Sequence, residues 1–244
     1  MNDVTVCTAA FAGFKLNLAL RWLETTHWLR RFLVQNAAEG EPVCVTDRVL
    51  ADWQAAGSPA DAFGEFCLLC QPVSEALLMQ RRCVFHAAAL RFRGRAWLIA
   101  AGSGVGKSTQ CRALMELCPD GISVINGDKP VLHALEDGRV MVYPSPWNGK
   151  EGWHGAEAAP LGGVIFLQRG GEDRIAPCRE QDAAVCAFPL VFQSFEREAV
   201  IRMSGVMTQM IVRAGRCWRM TSNTISGSAQ MLLGTLQQEA EHDI

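Results

Sequence analysis

Residues 98–109 read Leu-Ile-Ala-Ala-Gly-Ser-Gly-Val-Gly-Lys-Ser-Thr, an apolar run that empties into a glycine-rich loop ending Gly-Lys-Ser. Such a loop wraps backbone N–H groups around the phosphates of a nucleotide. Gly102, Gly104 and Gly106 carry no Cβ, so the backbone can turn through positive φ and approach phosphate oxygens closely. Ser103 and Val105 lie between them, and Thr109 follows the Lys-Ser pair. In this reading Lys107 reaches the β- and γ-phosphates and the Ser108 hydroxyl ligates Mg²⁺. A helix starting near Lys107 adds its partly positive N-terminus. One position departs from the usual pattern: the first glycine of the motif is Ala101, a small residue that fits the turn.

Other residues offer chemistry around that loop. Asp128 follows Ile125-Asn126-Gly127 at the end of an apolar run, where a carboxylate can sit beside an Mg²⁺-bound serine. His86 lies on an apolar run upstream of the loop, where a packed histidine satisfied by a backbone carbonyl is the plain alternative. Tyr143 to Gly152 holds prolines that set its path, glycines that admit close approach, and Lys150 beside Glu151. We read it as a wall or lid with Lys150 on a phosphate and Glu151 on metal or substrate, or else as a rigid turn anchored by Trp147. Arg169 could neutralise a transferring phosphoryl group, and Arg197 is a weaker candidate. His133 and His154 have no partner at metal-ligand spacing and read as surface or packing residues.

The elements that must position these groups follow from periodicity. Residues 96–100 predict a buried strand, and 110–117 a helix with Leu114 and Leu117 inward. His86 falls in a predicted strand over 84–90, which forms a hairpin with 95–100 around Arg93-Gly94. Further strands are expected at 122–126, 129–135, 140–143, 163–167 and 217–220, and helices at 180–187, 197–212 and 226–239. Before residue 80 the pattern gives a hairpin across Ala12-Gly13, helical spacing at Trp28, Leu29, Phe32 and Leu33, a strand at 42–45, and a mostly helical stretch over 61–79 broken at Pro72. No motif chemistry appears there. Residues 1–80 read as a small α/β appendage, and 81–244 as the nucleotide-binding domain.

Composition narrows the class. A net charge of −2 gives no reason to expect nucleic acid or an anionic membrane as partner. No apolar stretch approaches the roughly 20 residues of a membrane span, and the N-terminus lacks a signal-peptide layout. The expectation is a cytoplasmic protein. The ten cysteines accordingly read as reduced, mostly packing thiols, the Cys67–Cys70 pair included.

The ordered set of His86, the glycine loop, Asn126-Gly127-Asp128-Lys129-Pro130, Pro146-Trp147-Asn148-Gly149-Lys150-Glu151 and the strand from Pro160 to Leu167 resembles the C-terminal catalytic domain of the HPr kinase/phosphorylase family. It is most similar to a bacterial branch of that family. The resemblance spans roughly residues 83–170 and implies an α/β fold related to ATP-dependent phosphoenolpyruvate carboxykinase. It implies a mixed β-sheet with the nucleotide at its edge, ATP and Mg²⁺ as cofactors, and a homo-oligomer as a possible assembly. It also assigns Lys107 and Ser108 to phosphate and metal, His86 to ordering the catalytic centre, and Asp128 to the second of two carboxylates. The first carboxylate, the family's general base, is Gly127 here. Asp128 then does both jobs, or His86 or Glu151 supplies the base, or transfer is weak or absent.

The expectation is an ATP- and Mg²⁺-dependent phosphotransferase acting on a hydroxyl of a peptide, a protein serine or a small metabolite. Its catalytic residues would be His86, Asp128, Lys150 and Glu151. The rival is a nucleotide-binding or regulatory module that holds ATP without transferring it. Restoring the carboxylate with Gly127→Asp would separate the two. Decarboxylation in the carboxykinase manner is disfavoured, because no arginine-rich oxaloacetate site is evident.

Overall fold

The computed structural model describes residues 4–35, 42–102, 104–155, 157–193 and 196–241. Ser103, one of the predicted phosphate-loop residues, lies outside them. The chain opens with a hairpin of β1 (Thr5–Phe11) and β2 (Phe14–Leu20), joined through Ala12 and Gly13 at φ of 50° and 78°. Both turn residues are left-handed, which matches the natural twist of the flanking strands. A short 3-10 turn leads to α1 (Thr26–Leu29), and β3 (Pro42–Val43) adds to β2 in parallel. The helical spacing after Trp28 is therefore only partly realised. Leu33 instead bridges back to Ala9, and Phe32 O accepts from Ala10 N.

Then come α2 (Asp47–Ala55), α3 (Ala62–Leu68) and α4 (Cys70–Leu78). The break falls at Leu69, not at Pro72, because Pro72 lies in the first turn of α4, where its missing N–H has no intrahelical partner to lose. Fully buried Glu65 accepts hydrogen bonds from Arg21 N (2.8 Å), Trp22 N (3.3 Å) and the Thr25 hydroxyl (2.7 Å), tying α3 to the end of the hairpin.

The second sheet contains β4 (Arg82–Val84), β5 (Ala88–Phe92), β6 (Arg95–Ala100), β7 (Ile122–Asn126), β8 (Val131–Ala134), β9 (Val140–Tyr143) and β10 (Ala159–Arg169). Their order is β4-β8-β9-β10-β6-β5-β7. After β11 (Arg174–Pro177) and α6 (Glu180–Ala187) come α7 (Glu198–Ala214), β12 (Arg216–Ser222) and α8 (Ile225–Glu241). β10 runs parallel to β6 and β12, while β4, β5, β7, β8, β9 and β11 pair antiparallel, so the fold is α/β with a mixed sheet.

The helix α5 (Lys107–Leu117) follows β6 directly. β6 is an inner strand between β10 and β5, so the loop after it sits over the strand ends rather than along an outer strand of the sheet. One sheet face packs Ala96, Leu98, Ala100, Val164 and Phe166 under α6 and α7. The other packs Trp97, Ile99, Ile165 and Leu167 under α5 and α8. Leu114 is fully buried there, but Leu117, expected inward, is 41% exposed at the end of its helix.

The expected strand over 84–90 is also corrected. Phe85 N donates to Pro130 O (3.0 Å) and His86 N to Leu190 O (2.8 Å), which interrupts the ladder between β4 and β5. His86 thus stands at a crossover between two strand pairings, not within a strand. Among the described residues no helix is long and apolar enough to cross a membrane.

Candidate functional site

The strand–loop–helix connection builds the centre of the site. Gly104 and Gly106 take φ of 75° and 117°, and Gly106 caps α5 without any side-chain hydrogen bond. The first intrahelical bond is Gln110 N to Gly106 O (2.9 Å). The N–H groups of Lys107, Ser108 and Thr109 precede it, at the positive end of the helix. Arg169, at the end of β10, donates from Nε to Val105 O (3.1 Å) and from Nη2 to Gly104 O (3.5 Å). It ties two carbonyls of the loop. In this arrangement Arg169 supports the loop rather than reaching across a phosphate.

Around Lys107 the chain converges from three directions. Its Nζ lies 2.6 Å from His86 Nε2, 3.2 Å from Ala101 O and 3.5 Å from Asp128 Oδ1. His86 Nε2 is also 3.2 Å from Asp128 Oδ1, and Lys129 Nζ pairs with Asp128 Oδ2. Asp128 is therefore one anion among Lys107, Lys129 and His86. Burial works against its ionisation, but hydrogen bonds from His86 and Lys129, with their charges, outweigh it and hold the carboxyl well below the usual range. Burial also lowers the Lys107 pKa, opposed by Asp128 and reinforced by Lys129.

The sign for stability follows from the depressed Asp128 value. Its stabilisation is complete above the unfolded value of about 3.9 and is lost as pH falls through the lower folded value. Asp128→Asn should destabilise the protein by about 1–3 kcal/mol. Urea unfolding across pH should find that difference full above about pH 4 and closing below it. A difference that widens in acid would refute this account.

Asn126 makes the turn that aims Asp128. Its side chain is fully buried, with Oδ1 accepting from Asp128 N (3.0 Å) and Lys129 N (2.7 Å). Its Nδ2 donates to Ser145 O (3.0 Å), and the Ser145 hydroxyl donates to Lys129 O. The turn after β7 is thereby bolted to the segment after β9. A Cβ on Gly127 would lie 2.4 Å from Asn148 O, and Gly127 N donates to Trp153 O (2.9 Å). The Pro146–Glu151 segment occupies the room that a side chain at 127 would need.

That segment is anchored by Trp147, which is 4% exposed. Its ring stacks on Phe11 (5.7 Å) and Phe66 (6.0 Å), and Nε1 donates to Phe66 O (2.9 Å). The packing reading of Trp147 therefore holds, and it fixes Gly149, Lys150 and Glu151 at the cavity rim. Trp147→Ala should lower stability by about 3–5 kcal/mol through lost packing, measured by chemical denaturation. A loss under about 1 kcal/mol, the range of ordinary surface substitutions, would contradict the anchor.

One cavity of about 600 Å³ is lined by Gly102, Gly104, Gly106, Lys107, Ser108 and Thr109, by His86 and Asp128, and by Lys150 and Glu151. Residues spread over the sequence from 86 to 151 thus meet, although Val105 only shares the loop. Lys129, Arg169 and Phe192 complete the wall. Lys129 and Phe192 were missed as site residues. The Asp-Lys-Pro run signalled the first, whereas Phe192 carries no local signal. Its ring meets His86 edge-on (6.2 Å) and lies under Lys129 Nζ (5.6 Å).

The other sequence candidates lie elsewhere. Arg197 pairs with Glu75 (3.7 Å), His154 packs against Gly152 O (2.8 Å), and His133 belongs to β8. Among the described residues no group of three or more His, Cys, Asp or Glu side chains is placed to hold a metal ion. Ser108 and Asp128 do line the same cavity, which suits an Mg²⁺ ion that arrives with phosphates and keeps several waters. Cys70, of the Cys67–Cys70 pair, is buried and its thiol is pushed up by desolvation, which makes it inert packing.

No protein-family model matches the chain, and no curated protein matches it. Among solved structures it is similar to the Hpr(Ser) kinase/phosphatase from Coxiella burnetii, with a TM-score of 0.35 and 13% identity. The match covers 66% of this chain and 97% of that one, a similarity too distant to assign residue roles.

Proposed function

We propose that the protein is a phosphotransferase that takes MgATP as donor and a hydroxyl group as acceptor. The observation that supports it is the single cavity shared by an uncapped helix N-terminus, the Lys107 ammonium, Ser108 and the strongly acidic Asp128. Residues 81–244 form the nucleotide-binding unit in this reading, and 1–80 brace it through the Trp147 stack.

The loop N–H groups and Lys107 bind the β- and γ-phosphates. Ser108 and Asp128 are the residues to hold Mg²⁺, which neutralises phosphate charge when bound. In transfer, the acceptor oxygen bonds to the γ-phosphorus as the bond from that phosphorus to the β–γ bridging oxygen breaks. The bridging oxygen keeps the electron pair and departs on ADP. The hydroxyl proton needs an acceptor, and a carboxylate as acidic as Asp128 is a poor one. His86 is the better base. As a base the ring carries its proton on Nδ1, so that Nε2 accepts from Lys107 instead of donating to Asp128, and drawing Lys107 onto a phosphate leaves that lone pair to the hydroxyl.

An ADP-release assay over candidate hydroxyl acceptors tests the reading, with Lys107→Ala and Asp128→Asn as controls. Turnover that survives both substitutions would remove it. The second reading, a module that binds nucleotide without transfer, is favoured by the lack of a carboxylate at Gly127. It predicts calorimetric MgATP binding with no acceptor-dependent ADP release.

A further inference from the structure

The cavity at the glycine loop does not end there. A second cavity of about 430 Å³ begins at Gly102 and runs over Ala101, Phe166, Leu190 and Gln168 to Arg219. A third, of about 350 Å³, continues from Gln168 and Arg219 to Arg174, Arg179, Asp182 and Thr221. Together they form a groove along the C-terminal ends of β6, β10 and β12, the end of an open α/β sheet where ligands bind.

The groove changes character along its length. Near the loop its lining is apolar, from Ala100, Phe166 and Leu190. At the far end it is basic. Arg179 pairs with Asp182 (2.9 Å), the carboxylate that lines this end. Among the described residues Arg219 donates to Cys186 Sγ (3.6 Å) and senses the Asp182 carboxylate without hydrogen-bonding to it, and Arg174 forms no ion pair. Two guanidinium groups that hold no hydrogen-bonded carboxylate among the described residues thus line a pocket of small-molecule size.

The orientation of the loop decides what the groove would meet. Lys107, the residue for the terminal phosphates, donates to Ala101 O, and Ala101 lines the groove. The groove therefore opens from the γ-phosphate end, which is where an attacking hydroxyl must stand for in-line transfer. Planar arginine forks at its far end match a carboxylate or phosphate.

We infer that this groove is the acceptor site, and that the acceptor is a small hydroxyl compound bearing a carboxylate or a phosphate. The inference rests on the phosphotransferase reading above. The hydroxyl end lies by Ala101 and Gly102, the carbon frame over Phe166, and the anionic end on Arg219 and Arg174.

Glycerate and glycerol 3-phosphate, compared with neutral glycerol, test it by calorimetry and by ADP release. At least one anion should bind with MgADP present, and which one tells carboxylate from phosphate. Arg219→Gln should weaken that binding, and raise the acceptor KM, by about tenfold or more. Arg219→Lys should recover part of the loss, and MgATP affinity should not change. Anion binding should survive Lys107→Ala, which separates the groove from the loop. If glycerol performs as well as the anions, or Arg219→Gln weakens MgATP instead, the groove assignment is wrong. ADP release that ignores Arg219 retires the groove alone. Anion binding without any ADP release retires the transfer reading, and the acceptor role with it.

Discussion

Lys107→Ala is expected to lower acceptor-dependent ADP release by about 10²–10³-fold, the range for removing one preorganised charge-stabilising donor. MgATP affinity should fall in the same variant, because the ammonium is the one cation of the loop itself. The fold should persist. Burial already disfavours the charged lysine, and Asp128 keeps His86 and Lys129 as partners once Lys107 is gone. A thermal melt close to wild type, with calorimetric heat lost, would meet the expectation. Because the Lys107 pKa is lowered, wild-type MgATP binding should also weaken as pH rises, with the loss setting in before the ordinary lysine value of about 10.4 is reached. Undiminished MgATP binding by Lys107→Ala would mean the loop does not hold phosphates.

Gly127→Asp is expected to destabilise the protein and to create no activity. On sequence grounds the substitution would restore a general base. In the folded chain the new Cβ would lie 2.4 Å from Asn148 O and 3.3 Å from Trp153 Cβ. Forcing atoms into a filled space costs about 1–3 kcal/mol, occasionally more. For a chain of this size that lowers Tm by about 2–4 °C per kcal/mol. Gly127→Ala should show most of the same loss, since the conflict begins at Cβ. A stable Gly127→Asp protein with faster ADP release than wild type would overturn both the packing argument and the assignment of His86 as base. The variant therefore serves as a test of packing rather than as a switch between transfer and binding.

Much of the site was legible locally. The Gly-x-Gly-Lys-Ser spacing after an apolar strand determines a turn with left-handed glycines and a helix whose first N–H groups are open. That follows from backbone sterics within about ten residues. The same holds for the Arg93-Gly94 and Asp137-Gly138 hairpins and for the helices at 180–187 and 226–239, whose patterns are local. The Asp-Lys-Pro run likewise marked Asp128 before any partner was known.

Where local periodicity misled, a distant segment supplied the competing hydrogen bond. The strand over 84–90 is interrupted because Pro130 and Leu190 carbonyls capture the Phe85 and His86 N–H groups. That interruption turns His86 toward Lys107 and Asp128. Leu117 lies outward because α5 ends there, where no neighbouring layer covers it.

The sequence by itself determined the glycine loop, its lysine and serine, the α/β class, and the positions that bend or break the chain, since each depends on neighbours in sequence. Only the tertiary structure decided that Asp128 is one anion among three potential cations, that Arg169 holds the loop, and that Asn148 closes the space at Gly127. It also carried a groove from Gly102 to Arg219. Those features require segments far apart in the chain to meet at a few ångströms, and sheet order and side-chain packing set such meetings rather than any local pattern.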